Sequence, residues 1–500
     1  MAPERGERLG LPLRAVTRLN KDFKNMKRHA VWSSMVLAAA LTLAGWPQLA
    51  SAATLDGATL SALWGLPFAG VLLSIAVFPL VAPAFWHHHF GKIATAWALL
   101  FLVPFALTFG AGVAFGTLVH AVLEEYIPFI VLLTALYTVA GGICVRGNLH
   151  GTPRLNTAIL ALGTVLASIM GTTGAAMLLI RPLLRANDNR KHVVHVVVFF
   201  IFLVANAGGS LSPLGDPPLF LGFLQGVSFF WTTTHLALPM LFVCVVLLVA
   251  FYALDSFYFH RREEERSRFL DPTPDSPPLG VDGKINFVLL AAVIALVLMS
   301  GLWKSDIVFD VFGTHVALQN AVRDVALIGV TLLSLALTPR AARAGNDFNW
   351  APIEEVAKLF AGIFVTIAPV ITILRAGETG AFAGIVHLVN PAGAPHDLMY
   401  FWATGLLSSF LDNAPTYLVF FNLAGGDAQT LMTTGATTLA AISAGAVFMG
   451  ANTYIGNAPN FMVKAIAESR GIRMPSFFAY LGWSVVVLMP LFLVTGFLFF

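Results

Sequence analysis

Charged residues are scarce in this chain of 500 residues: 11% are Asp, Glu, Lys or Arg, and 57% are hydrophobic. A typical soluble domain carries about 25% charged residues. A single soluble core also stops growing at roughly 250–300 residues, well short of this length. The scarcity of charge excludes an ordinary soluble enzyme and indicates a protein that crosses a membrane many times.

Cysteine is almost absent, since Cys144 and Cys244 are the two in the chain. Each lies within an apolar run, which favours a role as a small core residue over a disulfide or a metal site. The net charge of +3 is small, so the composition gives no sign of a nucleic-acid partner.

The few charges are unevenly distributed, because residues 4–28 hold 11 and residues 255–284 hold 12 of the 55 charged residues. The second cluster predicts a cytoplasmic linker at 257–284 between two transmembrane repeats, at 53–256 and 285–500. The remaining charges are sparse and lie mainly in short loops between apolar runs.

The N-terminal segment predicts an upstream polar extension at 1–25 and a secretory signal peptide at 26–52. Lys27 and Arg28 precede an apolar stretch that ends in the A-x-A pattern of residues 50–52. An uncleaved first transmembrane helix is the alternative, although the apolar run is shorter than the roughly 20 residues that a span needs. Because the signal-peptide pattern begins at residue 26, Met26 is a candidate for the initiator methionine.

Basic residues in the short loops, such as Lys92, give the orientation of each span by the positive-inside rule. Two apolar segments, 155–184 and 399–425, then have both flanks on one side of the membrane and are predicted to be re-entrant hairpins. The mature N-terminus and the C-terminus are predicted to be periplasmic, in a bacterial-type inner membrane. The predicted crossings lie at 60–83, 93–119, 126–145, 192–222, 233–256, 285–303, 323–339, 356–374, 428–463 and 476–498.

These crossings divide into two halves, each with five crossings and one hairpin, and the halves begin on opposite sides of the membrane. Such an inverted-topology repeat, with broken helices, is typical of secondary transporters. Weak internal similarity supports it, because GDPP at 215–218 aligns with GNAP at 456–459. The predicted fold class is an all-α polytopic membrane protein.

Gly, Pro and Asn clusters interrupt the apolar runs at the hairpin tips and within the crossings that follow them. Unwound backbone at membrane depth must line a cavity, where half-helix ends attract either cations or anions. The side chains at these breaks are carboxylates, amides and hydroxyls, which favour hard cations. The predicted cation- and proton-binding residues are Asp412, Asn413, Asp216, Asn206, Thr173, Asn457 and Asn452.

Asp412 is the strongest single candidate, because a carboxylate at membrane depth is costly and functional by default. A proton and Na⁺ can compete for one buried carboxylate near neutral pH, which suffices for exchange. Structural alternatives remain open: Asn452 and Ser210 could cap half-helices, Asp216 could serve as a turn residue before two prolines, and Asp412 itself could have a purely structural role.

Arg181 and Arg375 lie at the ends of apolar runs, and Lys358 begins one after two glutamates. These three are candidate substrate or gating charges. The alternative for the arginines is that they reach the membrane interface or pair with a carboxylate. For Lys358 the alternative is an interfacial helix.

The segments ANAGGSLSPLGDPP (205–218), SSFLDNAPT (408–416) and 348–370 resemble the ion transporter superfamily, in particular its NhaD-type sodium/proton antiporters. The chain also resembles a family described as citrate transporters. The resemblance implies that Asn206, Asp216, Asp412 and Asn413 bind ions. It is incomplete: Thr172 and Thr173 stand where the antiporters carry an Asp-Asn pair, Pro218 replaces a threonine, and the Ser-Asn-Thr tips of dicarboxylate carriers are absent.

The sequence therefore predicts a secondary active transporter that exchanges Na⁺ or Li⁺ for H⁺ by alternating access. The alternative is a citrate or dicarboxylate carrier, with coupling to a cation. An enzyme is disfavoured because no H-E-x-x-H motif occurs, and a channel because broken-helix repeats favour alternating access. The expected partners are small cations and the lipid bilayer, with no cofactor beyond transported Na⁺ and H⁺; a homodimer is implied by the resemblance.

Overall fold

The computed structural model describes residues 55–147, 149–263, 279–391 and 395–500. Ten of its helices are long and apolar enough to cross a membrane, and its strands are four short segments. The predicted class, an all-α polytopic membrane protein, is confirmed. The predicted extension at 1–25 and signal peptide at 26–52 lie outside the described residues.

The first repeat contains nine α-helices, and short 3₁₀ or π segments interrupt two of its spans. Its helices are α1 Leu66–Val81, α2 Pro83–Phe109, α3 Ala111–His120, α4 Ile127–Ala140, α5 Pro153–Met170, α6 Thr172–Ala186, α7 Val194–Leu203, α8 Pro217–Leu224 and α9 Trp231–Tyr258. Two 3₁₀ turns, Gly57–Thr59 and Ala62–Gly65, precede α1; π turns lie at Ala121–Tyr126 and Phe259–Glu263, and a 3₁₀ turn lies at Ala207–Leu211.

The second repeat follows the same order, with short additional helices between its spans. Its helices are α10 Ile285–Leu302, α11 Leu318–Leu337, α12 Arg340–Gly345, α13 Ala351–Arg375, α14 Ala383–Val389, α15 Asp397–Phe410, α16 Asn413–Leu423, α17 Ala428–Met432, α18 Ala436–Met449, α19 Ala458–Ser469 and α20 Phe477–Phe499. Its 3₁₀ turns are Gly377–Thr379 and Gly450–Asn452.

Each repeat has three spans, then two helices joined at a tip, then a span broken in its middle, and then a last long helix. In the first repeat the joined helices are α5 and α6, and the last helix is α9. In the second repeat the joined helices are α15 and α16, and the last helix is α20. Five crossings lie between the start of the first repeat and the start of the second. Because this number is odd, the two repeats start on opposite sides of the membrane and run in opposite directions.

Nine of the ten predicted crossings overlap a helix of spanning length, although the predicted crossing 93–119 runs past the end of α2 at Phe109 into the next span, Ala111–Ala140. The tenth, 428–463, contains the shorter apolar segment Ala436–Asn452, and α5 has spanning length although it is one arm of a hairpin. The predicted loop at Lys92 is wrong, since that residue lies within α2. The chain breaks earlier, at Ala82, because Pro83 begins the next helix at once.

Four short strands lie outside the spans. Strand β1 (Cys144–Arg146) pairs antiparallel with β2 (Gly280–Asp282), opposing Val145 to Val281. Strand β3 (Val308–Val311) pairs with β4 (Thr314–Ala317) through a turn at Phe312 and Gly313, both with positive φ. The first pair joins the loop after α4 to the end of the predicted linker.

Burial separates central from peripheral spans. In the window Val194–Leu211, which begins with α7, 89% of residues are buried, whereas in the α2 window Pro83–Phe109 the share is 17%. The helix α2 is peripheral, because its apolar residues Leu99, Val103 and Leu107 are exposed on the surface of the protein. The broken spans therefore lie in the interior.

Candidate functional site

Both hairpin tips fall where the sequence interrupts its helical pattern. Gly171 separates α5 from α6 with φ of +83°, a conformation that disfavours a side chain. In the second hairpin α15 ends at Phe410, and Asp412 is the N-cap of α16, where its Oδ1 accepts a hydrogen bond from the backbone N–H of Ala414 at 3.1 Å.

The two broken spans resume at residues that occupy matching positions in the repeats. Asp216 is the N-cap of α8 with φ/ψ of −141°/143°, and Asn457 is the N-cap of α19 with −151°/137°. A proline follows each cap within two residues, which pre-sets the first helical turn. The backbone thus reproduces the alignment of residues 215–218 with 456–459.

Equivalent hydrogen bonds hold each break against its hairpin. The hydroxyl of Ser212 donates to the carbonyl oxygen of Ser168, as the hydroxyl of Thr453 donates to that of Ser409. The same hydroxyl oxygens accept backbone N–H groups two residues later, at 3.2 Å in the first repeat and 3.3 Å in the second. Each hairpin tip and the break beside it are therefore one hydrogen-bonded unit.

Side chains from both repeats converge on the carboxylate of Asp216, which is 1% exposed. The hydroxyl of Thr172 donates to its Oδ1 at 2.9 Å, and the amide of Asn457 donates to the same oxygen at 3.0 Å. The amide of Asn413 donates to Oδ2 at 2.5 Å. Three donors and no acceptor are the partners that an ionised carboxylate requires.

The four groups in this cluster all stand at the beginning of a helix. Thr172 begins α6, Asn413 begins α16, and Asp216 and Asn457 are the N-caps of α8 and α19. The N-terminus of a helix carries about half a positive elementary charge. Four half-helix N-termini therefore meet at one place and favour negative charge there, without a lysine or arginine taking part in these hydrogen bonds.

A chain of amides fixes the orientation of the cluster. Asn457 donates to Oδ1 of Asn206 at 3.3 Å, and Asn206 donates to Oδ1 of Asn460 at 2.7 Å. Asn460 donates in turn to the carbonyl oxygens of Gly450 and Thr453, both at 2.8 Å. Because each amide nitrogen faces an acceptor, the nitrogen of Asn457 is directed to Asp216.

Two buried amide oxygens at the breaks have no hydrogen-bond partner among the described residues: Oδ1 of Asn413 and Oδ1 of Asn452. A buried polar atom without a partner costs about 1–3 kcal/mol, so such an atom marks a place where a ligand can bind. Oδ1 of Asn413 is the more informative, because the nitrogen of the same amide holds Asp216. In the part of the chain that the structure describes, no group of three His, Cys, Asp or Glu residues could hold a resident metal ion.

The sequence-predicted ion-binding residues thus fall into two groups. Asp216, Asn413, Asn457 and Asn206 form one connected cluster through the hydrogen bonds above, whereas Asp412, Thr173 and Asn452 lie outside that set of bonds. Thr172, one position before Thr173, provides the hydroxyl on Asp216. Asn452 donates instead to Oγ of Ser409 at 2.9 Å.

The predicted substrate or gating charges lie apart from this cluster. Nε of Arg181, which is buried, donates to Asp347 at 3.2 Å, while its Nη1 has no partner among the described residues. Arg375 donates to Oδ1 of Asn422 at 2.7 Å. Lys358 forms an ion pair with Glu354 at 2.5 Å within the first turns of α13. Pairing with a carboxylate is therefore observed for Arg181 and Lys358, whereas Arg375 pairs with an amide.

Sequence reasoning did not identify a second buried polar cluster at the ends of α7 and α9. Asp255, with no exposed surface, accepts from Arg190 at 2.5 and 3.1 Å, from Nε2 of His195 at 2.8 Å and from the amide of Asn156 at 3.0 Å. Asp255 closes a long apolar run, a position that is typical of a solvent-facing helix end. Its burial could not be inferred from that pattern.

Gly215 offers a test of the close approach between backbone segments at the first break. A Cβ on Gly215 would lie 2.0 Å from the carbonyl oxygen of Gly209, so Gly215→Ala must shift backbone rather than a flexible side chain. We expect a loss of stability of about 1–3 kcal/mol, measured by thermal unfolding of the purified protein. The control is Gly482→Ala in α20, where a Cβ would meet no atom within 4 Å. Equal stability of the two variants would contradict the expected tight packing.

Comparison with protein families gives one match that spans almost all the described residues. A family model described as "Putative citrate transport" matches residues 57–500. None of the curated proteins compared with the chain matches it. The matched range includes both hairpins, both broken spans and every residue of the Asp216 cluster.

Proposed function

The chain belongs to the citrate-transport family whose model spans residues 57–500, and on that premise we propose that it is a secondary active transporter of citrate or a related carboxylate, coupled to a cation. The family match favours this substrate over Na⁺/H⁺ exchange alone, the function that the sequence motifs predict. Transport across a membrane, not catalysis, agrees with the ten helices of spanning length.

Convergence of four helix N-termini is the observation that carries the proposal. Such ends favour a carboxylate through the positive end of the helix dipole. In this protein they come from both repeats, so a carboxylate substrate would contact both hairpin tips and both breaks at once. Rearrangement of the two repeats would then change every contact to the substrate together, as alternating access requires.

The carboxylate of Asp216 accounts for the cation. A carboxylate substrate beside Asp216 would place like charges in a dry site, which is costly unless a positive charge lies between them. Oxygen atoms are the ligands that hard cations prefer, and Asp216 together with the unpartnered Oδ1 of Asn413 supplies such oxygens. We infer that Na⁺, a divalent cation or a proton binds at Asp216 and accompanies the substrate.

Placement in a bacterial-type inner membrane, with the mature N-terminus and the C-terminus periplasmic, is part of the same proposal. It rests on the basic residues of the other short loops, such as Arg146 and Arg154, since Lys92 lies within α2. The predicted charges Arg181 and Arg375 are bound by Asp347 and Asn422, so this scheme places them outside the substrate site, although Nη1 of Arg181 is a further buried atom without a partner among the described residues.

The proposal predicts cation-dependent uptake of labelled citrate into proteoliposomes. Vesicles with the reconstituted protein should accumulate citrate above protein-free vesicles when Na⁺, Mg²⁺ or an inward proton gradient is supplied, and each is tested separately. Omission of all three should reduce uptake to the level of protein-free vesicles, since Asp216 would then repel the substrate. Na⁺-driven proton movement without citrate uptake would contradict the proposal and favour antiport.

A further inference from the structure

Arg375 is the last residue of α13, on the side of the membrane that is proposed to be periplasmic, and it is exposed. Its Nε donates to Oδ1 of Asn422 at 2.7 Å, and Asn422 lies in the last turn of α16 with no exposed surface. The amide nitrogen of Asn422 donates to the carbonyl oxygen of Leu418 at 2.8 Å, which directs the amide oxygen to the arginine. A buried amide thus fixes the orientation of an exposed guanidinium.

A glycine turn after α16 makes room for this guanidinium. Gly425 and Gly426 both have positive φ, of +107° and +70°. A Cβ on Gly426 would lie 2.7 Å from Oδ1 of Asn422 and 3.0 Å from Nε of Arg375, so the backbone approaches the pair too closely for a side chain. Arg375, Asn422 and Gly426 therefore form a built site, the outer arginine site, at the ends of α13 and α16.

The charge of Arg375 is not neutralised by a contact within the described part of the chain. Its Nε binds an amide, and neither η nitrogen has a hydrogen-bond or ion-pair partner among the described residues. By contrast, Arg146, Lys358 and Lys464 each form an ion pair with a carboxylate. The two η nitrogens of Arg375 are therefore available to an anion from solution.

The carboxylates around the outer arginine site are engaged elsewhere or lie at a distance. Glu378 pairs with His387 at 3.8 Å, and Asp427 caps α17 through the N–H of Thr430. Glu125, which is buried in the π turn between α3 and α4, lies within electrostatic reach of Arg375 but forms no ion pair with it. An incoming anion thus has no carboxylate to displace from the guanidinium.

The first hairpin has a guanidinium at the matching position, but there it is covered. Asn422 lies 241 positions after Arg181, the same spacing that relates Asp216 to Asn457. Arg181 is 7% exposed, and Asp347 binds its Nε at 3.2 Å. Both hairpins thus hold a guanidinium at the same position of their second helix, and the accessible one lies at the outer end.

Helix α16 connects the outer arginine site with the Asp216 cluster. Asn413 begins this helix and donates to Asp216, whereas Asn422 binds Arg375 near its other end. At 1.5 Å per residue the two amides are about 14 Å apart along the helix. Because the carboxylate of Asp216 repels an approaching anion, a positive group at this distance offsets the repulsion before the anion reaches the cluster.

We propose that the outer arginine site binds a carboxylate group of the substrate through the η nitrogens of Arg375 before the substrate reaches the Asp216 cluster. A guanidinium of fixed orientation can donate two parallel hydrogen bonds to one carboxylate. Since Asn422 already holds the side chain, little conformational entropy is lost on binding. The inference rests on the proposed carboxylate substrate, and inorganic phosphate, which shares the oxyanion chemistry, is tested beside it.

Chemical modification of arginine tests this inference on the full-length protein in detergent. Phenylglyoxal reacts with accessible guanidinium groups, and peptide mass spectrometry gives the rate at each arginine. We expect Arg375 to react readily, and citrate at roughly ten times its dissociation constant to slow that reaction about tenfold. Chloride at equal ionic strength should not slow it, and phosphate should slow it less than citrate does. Arg340, which is exposed at the beginning of α12, is the control that citrate should not protect.

Equal protection of Arg340 and Arg375 would overturn the inference, as would the absence of protection by citrate. Protection by phosphate as strong as that by citrate would overturn the assignment of the site to the substrate. These measurements use the unmodified protein, so they decide even if a variant at Arg375 does not fold.

Uptake kinetics of Arg375→Gln provide the functional test in proteoliposomes. Loss of a charge-assisted contact that precedes entry should raise KM for citrate about tenfold and leave kcat near that of the unmodified protein. Arg340→Gln should change neither value. A folded Arg375→Gln protein with unchanged KM, or with kcat alone lowered as a structural role predicts, would refute the inference while the proposed function stands. If the unmodified protein takes up no citrate, the proposed function fails, and protection of Arg375 then decides the inference alone.

Discussion

Asp216→Asn should abolish cation-coupled citrate uptake while the protein remains folded. The substitution removes the charge and replaces one carboxylate oxygen by an amide NH₂, which then faces either the donor on Asn413 or the donors on Thr172 and Asn457. The loss of one charge-assisted contact costs about 3 kcal/mol, which lowers cation affinity roughly a hundredfold. Uptake by proteoliposomes at fixed cation concentration measures the effect.

Asp427→Asn is the matched control for this substitution. Asp427 is the exposed N-cap of α17, where Oδ2 accepts the N–H of Thr430 at 2.7 Å, and asparagine is an equally good cap. Its uptake should equal that of the unmodified protein. Full cation-dependent uptake by Asp216→Asn would show that the charge at Asp216 has no part in transport.

The substitution Asp412→Asn distinguishes the role of Asp412 from that of Asp216, the other carboxylate of the candidate site. Asp412 caps α16 through Ala414, an interaction that asparagine preserves, so we expect a smaller loss than at Asp216. Asp412 nevertheless lies within electrostatic reach of Asp216. An equal loss in both variants would contradict the assignment of the cation to Asp216 and place it between the two carboxylates.

Asp255→Ala should destabilise the protein by about 3–5 kcal/mol, the cost of removing one partner from a buried ionic cluster. Arg190, whose side chain has no exposed surface, would lose its carboxylate, and His195 and Asn156 would lose an acceptor. Thermal unfolding in detergent, followed by the fraction of protein that elutes as a single species, measures the effect.

An exposed ion pair of the same residue types provides the control. Arg146 and Asp282 pair between β1 and β2 with side chains 51% and 26% exposed, so Asp282→Ala should cost about 1 kcal/mol or less. Combining Asp255→Leu with Arg190→Met should recover much of the lost stability, since apolar replacement of a complete buried pair is often neutral. If Asp255→Ala and Asp282→Ala lowered the stability of the protein equally, the buried cluster would stabilise the fold no more than the exposed ion pair does.

Hydropathy and loop charge were enough to predict the class of fold, most spans and the position of both hairpins. The reason is that the bilayer sets the length of an apolar span and the side of the membrane on which basic loop residues lie. The exception at Lys92 shows the limit of that rule, because a single basic residue does not end the helix that Pro83 begins, and this helix continues through Gly91 and Pro104 to Phe109.

The candidate site was predictable in its components but not in its arrangement. Gly, Pro and Asn clusters identified the four breaks, yet the contact between Asp216 and Asn457 joins residues 241 positions apart, a pairing that no local pattern contains. The sequence does not distinguish Thr172 from Thr173 as the threonine that contacts Asp216, because the two are adjacent in the first turn of α6. Burial of Asp255 likewise depends on packing between α5, α7 and α9, which sequence spacing does not determine.

Asp216 and Asn457 have the same backbone conformation at the same position of two inverted repeats, and their side chains differ by one atom, an oxygen in place of a nitrogen. That single difference places one carboxylate, rather than none or two, at the two matched helix N-caps. With aspartate in both copies, two carboxylates would compete for shared donors; with asparagine in both, these two positions would be neutral. The duplication therefore supplies a geometry that is nearly twofold, while the divergence of one atom makes it electrostatically one-sided; in the proposed function, the accompanying cation balances that charge.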